Sequence, residues 1–143
     1  MSGQSTIDMV RLCALRQELG AHFPRILGYF ADDGLKSIAA IEQAVRARDA
    51  VALVRPAHSL KGEALQFGAI PLGLAAEEVE KAARQGIEER TFPLDMVKSV
   101  ICLRPLFEAA LEALRREAMP VAAAVPVAMP ARKSVGGFGR KVG

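Results

Sequence analysis

Between residues 49 and 67 a histidine, a lysine and a glycine stand at a spacing that chemistry can use. His58, Lys61 and Gly62 fall at i, i+3 and i+4, which are neighbouring positions on a helix surface. An imidazole in water is close to half-protonated at physiological pH, and its neutral form carries a nucleophilic nitrogen. Such a group can accept a phosphoryl group. The transferred group spreads negative charge over its equatorial oxygens, and an ammonium one turn away would balance it. Gly62 inside a helix costs roughly 1 kcal/mol relative to alanine. Close approach of another backbone or of a phosphate is one reason to keep it.

The helix that carries these residues has two apolar faces. At about 100° per residue, Leu53, Ala57, Leu60, Ala64 and Phe67 form one narrow stripe, as a bundle core requires. Val51, Val54, His58 and Leu65 cluster on the far side, flanked by Arg55, Lys61 and Gly62. Either this helix is central and buried all round, or the far side is a docking surface. Lys61 favours docking, because a buried ammonium without a partner is costly.

The remaining elements follow from periodicity. Thr6 to Leu19 fits one short helix ending at Gly20, and a longer one runs from about His22 to Arg48, which Asp32-Asp33-Gly34 would interrupt or bend. Asp49 is an N-cap for the third helix, which continues to about Phe67. Pro71 opens a fourth in its first turn, and Gly86 ends it. Thr91 caps a fifth, with Pro93 in its first turn and Pro105 bending it. Short connections favour antiparallel neighbours. The expectation is an all-α, up-down antiparallel four-helix bundle over 1–118, with an extra short N-terminal helix. Residues 119–143 are rich in Pro, Ala and Gly without helical period and read as a basic, disordered tail.

Composition and charge narrow the function. The chain has 143 residues, 51% hydrophobic and 24% charged, with aromatics at 5%, which disfavours an all-β fold. The tail holds Arg132, Lys133, Arg140 and Lys141 and no acid, so the sequence pI near 9.1 belongs to the tail and the body is close to neutral. That argues against a nucleic-acid binder, whose bases would form a patch on the fold. No apolar run is long enough for a membrane span, and the polar start, Met1 to Thr6, has no signal-peptide character, so a cytoplasmic location is expected. Cys13 and Cys102 read as buried small hydrophobes, His22 as a surface or capping histidine, and Glu77, Glu78 and Glu80 as a solvated face. No phosphate-binding glycine loop is present.

Ala57-His58-Ser59-Leu60-Lys61-Gly62, followed by Phe67-Gly68-Ala69, resembles the signature of histidine phosphotransfer (HPt) domains. Leu72, Leu74, Ala75, Glu78, Val79, Glu80, Ala82, Ala83, Arg84 and Gly86 resemble the family's next helix, and the resemblance spans about residues 6–117. It implies a monomeric helical bundle in which His58 takes a phosphoryl group from a receiver-domain aspartate and passes it to another response regulator. It implies that Lys61 helps hold the phosphoryl group, and that Gly62 and Gly68 permit receiver docking and close helix packing. Val51, Val54, Arg55 and Leu65 would then belong to the docking surface. The partners implied are receiver domains and a hybrid histidine kinase. No cofactor is implied for this chain: Mg²⁺ would sit on the receiver, and the chain would be a phosphocarrier without kinase activity. Two residues depart from the pattern. Glu63 follows the motif glycine where small residues are usual, and Pro56 removes a helix hydrogen bond two residues before His58. A contrasting reading is a non-catalytic adaptor that binds a partner helix through Val51, Val54 and Leu65.

Overall fold

The computed structural model describes residues 6–118. These form five α-helices: α1 (Met9–Leu19), α2 (Phe23–Ala47), α3 (Ala50–Gln66), α4 (Ile70–Glu89) and α5 (Val97–Ala118). Short 3₁₀ turns at Gly20–His22 and Leu94–Met96 lead into α2 and α5, and no strand occurs among the described residues. Helix α3 packs between α2 and α4, while α5 closes against α4 and α2. Helix α1 lies across α2 and α3.

The apolar stripe of α3 is the centre of the core. Leu53, Ala57, Leu60 and Ala64 are fully buried, and Phe67 follows just past the helix end. Phe67 stacks on Phe30 at 4.8 Å between ring centroids, and Phe30 meets Phe107 edge-on at 5.6 Å. Gly34 makes the approach of α5 possible, since a β-carbon there would overlap the Phe107 ring. Asp32-Asp33-Gly34 therefore does not interrupt α2. The glycine admits an aromatic ring from α5 while the helix runs on.

The turn after α3 explains the glycine–alanine pair downstream of the histidine. Gly68 has φ +81°, a left-handed conformation that suits glycine. Its carbonyl accepts from the Asp8 N–H at 2.7 Å, and a β-carbon at 68 would lie 2.7 Å from the Asp8 carbonyl oxygen. Asp8 in turn caps α1 through its side chain, so that helix begins at Met9 and not at Thr6. Arg11 Nη1 donates to the Leu65 carbonyl at 3.2 Å. The short N-terminal helix is thus tied to the end of α3.

Other expectations need correction. Helix α4 continues through Gly86 to Glu89, and Arg90 supplies the left-handed C-cap. Gly86 is a glycine because the chain returns over it: a β-carbon there would sit 2.6 Å from the Thr91 carbonyl oxygen. Helix α5 starts at Val97, after the 3₁₀ turn, so Thr91 does not cap it. It runs through Pro105 without a break, as α3 runs through Pro56. Cys13 and Cys102 are exposed, because each falls on the outer face of an otherwise apolar segment. Asp49 does cap α3, its Oδ1 accepting from the Ala52 N–H at 3.1 Å. The expected tail, 119–143, lies outside the described residues.

Candidate functional site

His58 projects from the side of α3 opposite its buried stripe, and its side chain is 61% exposed. Its neighbour across the helix pair is Glu80 of α4. Nδ1 of His58 lies 3.0 Å from Glu80 Oε2. The same oxygen accepts from Arg84 Nε at 3.1 Å and Arg84 Nη2 at 2.7 Å. Lys61 Nζ forms an ion pair with Oε1 at 3.0 Å. Three cationic or N–H groups converge on one carboxylate whose side chain is only 7% exposed.

Electrostatics fixes the protonation state of this cluster. Burial pushes the Glu80 carboxyl up, but the donors of Arg84, Lys61 and His58 outweigh it and hold its pKa at about 2. At neutral pH Glu80 is a carboxylate and can only accept hydrogen bonds. Nδ1 of His58 must therefore carry the proton in the pair. In the neutral ring this leaves the Nε2 lone pair free, on the nitrogen facing away from Glu80.

Glu80 is the residue of this cluster whose surroundings the sequence reading mistook. Glu77, Glu78 and Glu80 were expected on a solvated face, but Glu80 is buried. Its polar partners offset the cost of that burial. The usable signal was Arg84 at i+4, a spacing that lets a guanidinium reach back to a carboxylate. Lys61 is less exposed than a docking face would need, its side chain being 23% exposed, and Glu80 supplies its partner.

The remaining predicted residues fall in distinct places. Gly62 is exposed, and a β-carbon there would meet open space. Close packing within the chain accounts for Gly68 and not for Gly62. Val51 is 67% exposed, whereas Val54 is partly buried against the core. Arg55 is exposed and lines a groove between α2 and α3 with Lys36, Pro56 and Ser59. Leu65 is half-buried, its side chain filling the space above Gly73 of α4. Glu63 sits on the α2-facing side: burial and the nearby Asp33 raise its pKa, and its Oε1 is enclosed without a partner. It lies away from the Glu80 cluster. His22 is exposed and bonds Arg25 at 2.9 Å.

The α3–α4 seam has a regular plan. Leu65 and Gly73, His58 and Glu80, and Val51 and Ile87 form three successive rungs, spaced one heptad apart on each helix and running in opposite directions. The first rung is closed by packing, the second is polar, and the third opens into a hollow lined by both of its residues.

Among the described residues, no group of three His, Cys, Asp or Glu side chains is placed to hold a metal ion. No helix there is long and apolar enough to cross a membrane. No curated protein matches the chain. Among solved structures, the histidine-containing phosphotransfer protein B (HptB) from Pseudomonas aeruginosa PAO1 is similar, with a TM-score of 0.70 and 26% identity, covering 81% of this chain and 96% of that one. The family described as "Hpt domain" matches residues 25–117, well over half the chain and the whole of the His58–Glu80 cluster. The chain belongs to the Hpt domain family.

Proposed function

We propose that this protein is a phosphorelay carrier that accepts a phosphoryl group on His58 Nε2 from a receiver-domain aspartate and delivers it to another response regulator. The observation that carries the reading is an exposed imidazole whose Nδ1 is tied to a buried, ionised carboxylate. The Nε2 lone pair attacks phosphorus of the aspartyl phosphate. The N–P bond forms as the P–O bond to the aspartate breaks, and the aspartate leaves as a carboxylate. Both ring nitrogens are then substituted, Nδ1 by its proton, and the ring becomes cationic. Glu80 lies where it balances that charge.

Lys61 is the cation most easily released toward the phosphoryl oxygens. It is the single partner of Oε1, whereas Oε2 takes His58 and both Arg84 nitrogens. Mg²⁺ belongs to the receiver in this scheme, and the chain brings no kinase activity. Two- and three-residue turns between α2, α3 and α4 support an up-down, antiparallel course for the bundle. A monomer in the cytoplasm fits these roles, with a receiver domain and a hybrid kinase as partners.

The test mixes the protein with a phosphorylated receiver and follows label. The wild type gains an acid-labile, base-stable phosphate, and His58→Gln gains none. Equal labelling of that variant would overturn the proposal. A His58→Gln protein that still binds its partner, from a wild type that never takes up phosphate, would favour an adaptor instead. Lys61→Ala is expected to slow transfer roughly tenfold, the scale of ~1.4 kcal/mol in a barrier, with helicity intact by circular dichroism.

A further inference from the structure

We propose that the open rung of the α3–α4 seam selects the receiver: the hollow at Val51 and Ile87 takes an apolar side chain of the partner, flanked by carboxylates that pair with Arg48 and Arg90. This rests on the phosphotransfer reading and adds to it where on the surface discrimination occurs.

The hollow measures about 530 Å³ and lies between the α2–α3 turn and the segment that follows α4. Its large apolar side chains are Val51, Ile87 and Phe92, with Ala47 and Ala50 beside them. Val51 is 67% exposed and Ile87 41%, so both side chains are open to a partner. Both stand one heptad from the reactive rung, so the hollow is on the same face as His58, roughly 10 Å along the helix axes at 1.5 Å per residue. A partner that reaches His58 therefore covers it. The opposite rung cannot serve this purpose, because Leu65 is already seated on Gly73.

Charge identifies the partner's chemistry. Arg48 and Arg90 both line the hollow, and neither makes an ion pair among the described residues. They are also the two non-glycine residues with positive φ there, at 53° and 59°. The left-handed conformation costs about 1–2 kcal/mol for a residue with a β-carbon, and glycine would meet each helix end at lower cost. The one carboxylate in the lining, Asp49, is engaged as the cap of α3. What remains is an apolar floor between two uncommitted guanidinium groups, a fit for an apolar side chain set among acids.

The experiment uses the full chain and a phosphorylated receiver that labels His58, in single turnovers across receiver concentration. Arg48→Glu combined with Arg90→Glu is expected to raise the half-saturating concentration at least tenfold while leaving the maximal rate unchanged. Added salt should raise the wild-type value and leave the variant's nearly flat. If the reversed pair fails to fold, Arg48→Gln with Arg90→Gln gives the graded version of the same shift. An unchanged half-saturation in a folded variant overturns the inference while labelling of His58 keeps the function intact. Loss of self-association by the variant in sedimentation, with half-saturation unchanged, would assign the hollow to a second copy and also overturn it.

Discussion

Leu65 and Val51 sit two heptads apart on one face of α3, and they meet their surroundings in opposite ways. Leu65 fills the space that a side chain at position 73 would need, so the seam with α4 is shut there. At Val51 the facing residue is Ile87, and two branched side chains line a hollow that neither fills. Between them, the polar rung is neither closed nor empty: a carboxylate below the surface holds an imidazole above it. The difference teaches that amphipathic spacing gives the direction a side chain takes, while the residue opposite decides whether it is core or surface. Leu65 and Val51 look alike in the sequence, and a glycine against an isoleucine separates them.

Three measurements would break or sharpen this comparison. The largest effect belongs to the closed rung. Gly73→Val should destabilise the fold by about 1–3 kcal/mol through overpacking, because a β-carbon there lies 2.5 Å from Leu65 Cδ2 and 2.8 Å from Cγ. A urea midpoint unchanged from wild type would mean the rung is loose. The polar rung comes next and is read by pH. Glu80 is held at about 2 in the fold against an ordinary 4.5. Its contribution to stability is present above pH 4.5 and is lost as pH falls toward 2. Glu80→Gln should therefore be less stable at neutral pH and lose less between pH 4.5 and 2, as followed by urea midpoints. Parallel curves for the two proteins would remove the carboxylate from the centre of the site. The smallest effect is at the open rung, where Val51→Ser should shift stability by no more than about 0.5 kcal/mol.

Much of the architecture could be read along the chain. The stripe from Leu53 to Phe67, the Asp49 cap and the faces of His58 and Lys61 follow from helical period and capping chemistry alone. What escaped was tertiary. Glu80 reads as one of three acids on a wet face until α4 is laid against α3, and only then does it meet His58 and Lys61. Gly86 reads as a helix stop because glycine often is one, but its role is to let the chain after α4 fold back over it. Cys13 and Cys102 lie in apolar surroundings along the sequence and on outward faces in space. In each case the local pattern was sound and the deciding neighbour was remote.

The Phe107 ring lodged against Gly34 works like a key in a slot. Sliding or turning α2 relative to α5 would require the ring to withdraw from its place, and the stacked Phe30 and Phe67 would have to follow. The platform beneath His58 is therefore braced by interlocked rings. In the proposed relay a receiver would meet a surface already shaped, with little of the contact energy spent on ordering it.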